Sequence, residues 1–148
     1  MAQIEISHKG ELLLEKFMMY CRFFNYLAIL KIKGKDLEKA FKRSVSQASK
    51  GIHQGAFPYL SGMKFDIKDG KAENFRIVKD GLEFPVEPEK DYLFATDSYI
   101  AQGGNGYYEF HNVSKIEMTQ FVVSDVFAEY CEEKKTLSKP EISHPALN

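Results

Sequence analysis

Between Tyr26 and Lys33, Ala28, Leu30 and Ile32 fall on one side of the chain and Leu27, Ile29, Lys31 and Lys33 on the other. That period of two predicts a strand, ended by Gly34. The period then changes. Leu37, Ala40, Phe41, Val45 and Ala48 recur at threes and fours, predicting a helix to about Ser49 with Asp36 as its N-cap. Leu13, Phe17 and Tyr20 predict a shorter helix over 12–20, preceded by weak alternation at Ile4 and Ile6 that fits a short edge strand or a connector. Residues 51–62 hold Gly55, Pro58 and Gly62 and read as a loop. Two strands, 63–67 and 74–79, flank Lys68-Asp69-Gly70-Lys71, in which Asp-Gly is a strong hairpin signal. Asp80-Gly81 marks a second turn, and Pro85 and Pro88 bracket a connection. Asp91 to Asp97 alternates again, with Leu93 and Ala95 opposed to Tyr92, Phe94 and Thr96. Val122, Val126 and Tyr130 predict a last helix from about Thr119 to Glu133, with Thr119 near its N-cap. The polar tail after Lys134, with Pro140 and Pro145, reads as an extended end.

Helices interleaved with hairpins predict an α+β fold with a mixed or antiparallel sheet. The 148 residues suffice for one domain, with a core over 10–133 and a tail over 134–148. Lys plus Arg is 20 and Asp plus Glu is 21, a net charge of -1, so no global field favours nucleic acid as a partner. No apolar run approaches the ~20 residues of a membrane helix. Met-Ala-Gln-Ile-Glu-Ile is not the start of a signal peptide, and the last residues carry no lipid-anchor signal.

Groups able to do chemistry are scarce. His8, His53, His111 and His144 stand apart from one another and from both cysteines, with no HExxH, CxxC or Asp-x-His. A self-contained metal-dependent catalyst is therefore not expected. Cys21 and Cys131 fit two free thiols or one long-range disulfide. His53 reads as a loop residue, and Ser61 lacks a Gly-x-Ser-x-Gly context. Asp97 fits either a ligand acceptor or a turn residue. Gly103-Gly104-Asn105-Gly106 lacks both the Gly-x-Gly-x-x-Gly spacing and a Walker Lys. It fits either a turn needing positive φ or a close backbone approach to a ligand, with Asn105 offering an amide. Aromatic residues make up 14% of the chain, enough to fill a core and leave rings over. Those near loops, Phe23, Phe24, Tyr99, Tyr107 and Tyr108, are the ones that could flank a planar ligand.

Three segments in order carry a resemblance. Ile32-Lys33-Gly34-Lys35-Asp36-Leu37-Glu38-Lys39-Ala40-Phe41 is similar to a strand-Gly-helix segment of the 5'-nucleotidase family C-terminal domain. Gly55-Ala56-Phe57-Pro58-Tyr59-Leu60-Ser61-Gly62 resembles that domain's "GxFxQxSG" segment. Residues 92–107, from Tyr92 through Thr96-Asp97-Ser98-Tyr99 to Gly103-Gly104-Asn105-Gly106-Tyr107, are very similar to its "Y-x-V-x-T-N-x-[FY]-x-A-x-G-G-D-G-[FY]" segment. The resemblance spans roughly residues 10–133.

The resemblance implies a 5'-nucleotidase C-terminal domain-like fold and a substrate-specificity pocket without catalytic or metal-binding residues of its own. Two rings would sandwich a nucleobase: Phe23, in Arg22-Phe23-Phe24-Asn25, and Tyr99. Asn105 stands where the family has an Asp that accepts from ribose hydroxyls, and Gly103, Gly104 and Asn25 complete the implied site. Asn105 offers one carbonyl acceptor and two N–H donors in place of a carboxylate. Arg22 and Phe24 depart from the family pattern at the entrance. The partners implied are a nucleoside monophosphate or nucleoside, and an N-terminal metallophosphatase domain of a parent chain. Two divalent metal ions would belong to that domain and none to this chain, which alone would be inactive. The parent would hydrolyse nucleoside monophosphates to nucleoside and phosphate, in the periplasm, secreted or at the cell surface. Alternatives are a domain of a 2',3'-cyclic nucleotide phosphodiesterase or nucleotide-sugar hydrolase, or a non-catalytic interaction module.

Overall fold

The structure, a computed structural model, describes residues 24–52, 56–113 and 115–134. The predicted helix over 12–20, Phe23, His53 and the tail lie outside these. Among the described residues all strand pairings are antiparallel, in two three-stranded sheets.

Strand β1 (Tyr26–Lys33) is the centre of the first sheet, between β5 (Asp91–Asp97) and β6 (Lys115–Val122). Its alternation places Ala28, Leu30 and Ile32 in the core, opposite Thr96, Phe94 and Tyr92 of β5. The other face carries Lys31 opposite Leu93, which is largely exposed.

Helix α1 (Gly34–Ser49) follows β1 without a linker and buries Leu37, Ala40, Phe41, Ser44, Val45 and Ala48. The predicted stripe is therefore the buried face. The predicted cap is not: the helix begins at Gly34, and Asp36 lies in its first turn. The first helical N–H groups are satisfied by backbone instead. Gly34 N–H donates to the Lys90 carbonyl and Lys35 N–H to the Pro88 carbonyl, both at 3.0 Å. Asp36 keeps a favourable place by the positive end of the helix dipole.

The second sheet is a meander of β2 (Met63–Lys68), β3 (Lys71–Lys79) and β4 (Leu82–Pro85). Both predicted Asp-Gly turns form, with positive φ at Asp69, Gly70, Asp80 and Gly81 as type I′ turns require. Strand β3 begins three residues before the predicted position 74. Asn74 has φ 53°, and the pairing register shifts between Lys64 and Asp66, so a bulge interrupts its alternation. The exposed β4 occupies residues to which the sequence pattern assigns no element, ahead of the connection bracketed by Pro85 and Pro88, and Pro85 is tolerated at the end of this edge strand.

The predicted final helix is shorter than expected. Residues 115–122 form β6, and α2 (Ser98–Ala101) precedes it, so the last helix is α3 (Val123–Lys134). Met118 pairs with Ala28 and Ile116 with Leu30, and Thr119 Oγ1 donates to the Leu27 carbonyl at 2.8 Å. Pairing with a strand some 90 residues earlier in the chain overrides the local period of four. Cys131, on α3, is a free thiol and only partly buried; Cys21 lies outside the described residues.

One core joins both sheets through α1. Phe41 meets Phe94, Tyr107 and Phe110 edge-on at centroid distances of 5.8, 6.2 and 6.5 Å. The hydroxyls of Ser44 and Tyr107, 2.9 Å apart, converge on the Ala56 carbonyl, which satisfies three buried polar groups. Burial pushes the Tyr107 phenol above its ordinary pKa. This tyrosine is structural.

On the second sheet, Arg76 holds Asp66 through two bonds of 2.7 and 3.0 Å, and Asn74 adds a third at 2.9 Å. These bonds, Arg76's first, lower the Asp66 carboxyl from 3.8 to about 2. A folded pKa below the unfolded one gives stability present above 3.8 and lost as pH falls toward 2. A carboxyl-carbon NMR titration should find Asp66 titrating near 2. In Arg76→Ala it should move up toward the ordinary aspartate range.

Candidate functional site

Strand β5 ends in Asp97, and the chain turns at once into the single-turn helix α2. Asp97 Oδ1 accepts from the N–H groups of Tyr99 and Ile100 at 2.9 and 3.0 Å, so this carboxylate is the N-cap. Its capping role decides between the two readings left open by the sequence. Tyr99 stands on α2 rather than at the strand end, and Ala101 behind it is fully buried.

Gly103 closes α2 at φ 84°, and Asn105 follows at φ 52°. Asparagine is among the few residues with a side chain that tolerate this region. The loop is thus a tight turn, but its glycines also permit close approach, to the protein's own rings. A Cβ on Gly104 would lie 2.5 Å from Tyr99 Cε1, and one on Gly103 would lie 2.3 Å from His111 Nε2. Tyr99 is seated on Gly104 on one side and is 52% exposed. Its hydroxyl donates to Asn105 Oδ1 and accepts from the Asn105 N–H, both at 3.4 Å. These bonds are long, so a ligand can displace them at small cost.

After the loop, Tyr107 turns into the core and stacks on Phe110 at 5.2 Å, whereas Tyr108 stays exposed. The Arg43 guanidinium lies 5.2 Å from the Tyr108 ring centre and grips Glu109 through two hydrogen bonds. Burial, the largest single effect, raises the Glu109 carboxyl, but the Arg43 bonds, a backbone hydrogen bond and the charges of Arg43 and Lys39 together hold the group below its ordinary pKa. Glu109 is therefore an anchored carboxylate.

These elements enclose a cleft of about 460 Å³. Tyr99, Tyr108 and His111 supply its rings, Asn25, Ser98 and Gln102 its polar side chains, and Gly103 and Gly104 its floor. No Asp, Glu, Lys or Arg lines it among the described residues. The structure thus brings Tyr99, Gly103, Gly104 and Asn25 together. Asn105 is reached through the Tyr99 hydroxyl. Phe23 lies outside the described residues, but Phe24, beside Asn25, is 82% exposed. Sequence reasoning did not single out Ser98, Gln102 or His111 for the site. Proximity to the glycine loop flags Gln102 and Tyr108, but nothing local flags His111.

A larger groove of about 710 Å³ runs along α1, with Lys35, Lys39, Lys42, Arg43 and Lys71 on its walls. Lys35 is paired to Glu89, Lys42 to Glu38 and Arg43 to Glu109. It is an ion-paired surface trough with no ring to stack on a base, and the smaller cleft is the better site. Among the described residues no group of three or more His, Cys, Asp or Glu could hold a metal ion. None of their helices is long and apolar enough to cross a membrane.

Comparison with known proteins bears on this site. Residues 2–112 match the family model of the 5'-nucleotidase, C-terminal domain. The chain is 24% identical over 140 residues to the trifunctional nucleotide phosphoesterase protein YfkN of Bacillus subtilis, covering 90% of this chain and 9% of YfkN. It is 32% identical over 83 residues to protein UshA of Escherichia coli, covering 56% of this chain and 14% of UshA. The crystal structure of a 5'-nucleotidase precursor from Thermus thermophilus superposes with a TM-score of 0.79 at 24% identity, over 90% of this chain and 27% of that one. The chain thus spans a small part of the length of each relative.

Proposed function

The chain belongs to the 5'-nucleotidase C-terminal domain family, and from that premise we propose that it is the nucleoside-binding part of a nucleotide hydrolase. Its role is to hold the base against Tyr99 and the ribose near Asn105. The observation that carries this reading is Tyr99 itself: a half-exposed ring, fixed on Gly104, in a cleft lined by uncharged polar groups. Such a surface suits a flat, neutral, hydrogen-bonding ligand, because stacking and amide contacts need no counter-charge.

The parent enzyme in this reading is a phosphoric monoester hydrolase that releases nucleoside and phosphate. Hydrolysis would be assisted by two divalent metals on an N-terminal metallophosphatase domain, which supply an activated water. Among the described residues of this chain there is no donor set for them. Its contribution would be positioning: a base and sugar held in one orientation place the ester at a fixed point. Asn105, with one neutral carbonyl acceptor, would orient a ribose more weakly than a carboxylate.

Titration of the isotope-labelled chain with adenosine or AMP tests the reading. Tyr99 ring signals should shift and saturate. Unchanged Tyr99 signals at millimolar ligand would contradict it.

A further inference from the structure

We infer that His111 is a specificity-determining residue of this cleft, its imidazole hydrogen-bonding to the polar edge of a nucleobase. The inference rests on the nucleoside reading above and names a residue which that reading does not need.

The turn Tyr108–Asn112 is fixed on several sides. Phe110 is fully buried and stacks on Tyr107. Glu109 is gripped by Arg43, whose guanidinium also covers the Tyr108 ring. His111 is carried on this anchored turn, exposed, and lines the cleft. Its imidazole packs so closely on Gly103 that a methyl group there would fall 2.3 Å from Nε2 and 2.6 Å from Cδ2. A ring held this way is pre-organised, which a specificity contact requires. Among the described residues His111 has no hydrogen-bond partner, whereas Gln102 already spends its amide N–H on the Ser98 carbonyl at 3.0 Å.

Orientation follows from the loop. The hydroxyl end of Tyr99 is at Asn105, where the sugar is expected. The His111 ring packs on Gly103, two residues before Asn105 in the same loop. A nucleoside with its sugar at Asn105 and its base on Tyr99 brings an edge of the base toward His111. The absence of charged groups from the described cleft wall favours this neutral portion of a nucleotide over its phosphate. With its Nε2–Cδ2 edge against Gly103, the imidazole has Nδ1 left to make a single hydrogen bond, to one group on a purine edge such as N7 or N6–H of adenine.

The test is a titration of the full 148-residue chain, following the ring signals of His111 and Tyr99 with adenosine and, separately, with ribose 5-phosphate. Adenosine should move both rings, and ribose 5-phosphate should leave His111 in place. His111→Ala should weaken adenosine binding roughly fivefold, the loss expected for one neutral hydrogen bond, with Tyr99 still shifting at saturation. His111→Gln, which keeps a donor and an acceptor, should recover part of the loss. If Tyr99 saturates with adenosine while His111 stays still and His111→Ala binds as wild type, the inference is overturned and the nucleoside reading stands. If Tyr99 itself does not respond, the nucleoside reading falls, and the inference with it.

Discussion

Gly34→Ala should be among the most destabilising single substitutions in the chain, lowering the urea midpoint sharply with little change in slope. A Cβ at position 34 would lie 2.3 Å from the Glu87 carbonyl oxygen and 2.8 Å from Val86 Cγ1. The first of these is backbone and cannot swing aside. Relief requires moving the connection between β4 and β5, yet Pro88 and Lys90 in that connection accept the first two N–H groups of α1. Overpacking alone costs about 1–3 kcal/mol, and losing the backbone cap adds to it. A total above about 3 kcal/mol is a large share of the ~5–15 kcal/mol that holds a domain together. A midpoint within error of wild type would mean that the junction is looser than described.

Tyr99→Ala should have the largest effect on binding and little on folding. The ring is half exposed, so its removal opens no core cavity. A stacked base is worth about 1–3 kcal/mol, so adenosine affinity should fall by between about fivefold and about 150-fold. Tyr99→Phe keeps the stacking face and loses only the two long bonds to Asn105, and should bind close to wild type. Equal losses in both variants would mean that the hydroxyl, not the ring, carries the contact.

What was legible in the sequence follows from where each structural decision is made. Strand β1 and helix α1 could be read because local period and burial coincide: Ala28, Leu30 and Ile32 point one way, and Leu37, Phe41 and Val45 share a stripe. The two Asp-Gly turns could be read because their positive φ is a local demand. Strand β6 could not, since Thr119 and Met118 join a sheet only through Leu27 and Ala28. The cap of α1 is not legible locally: carbonyls of residues 88 and 90, distant in sequence, take the task that Asp36 could have filled.

At the site, the motif residues Tyr99, Gly103 and Gly104 come together on one cleft. Adjacent Tyr107 and Tyr108 look alike in sequence, yet one is core and the other walls the cleft. Only the 3₁₀ turn separates their roles and brings His111 back onto Gly103.

The central claim is that a nucleobase lies on Tyr99. Intermolecular nuclear Overhauser effects between adenosine and the labelled chain measure this directly. The account predicts contacts from the base protons to the Tyr99 ring. Base contacts to the aliphatic chains of Lys39 and Lys42 along α1, with none to Tyr99, would contradict it.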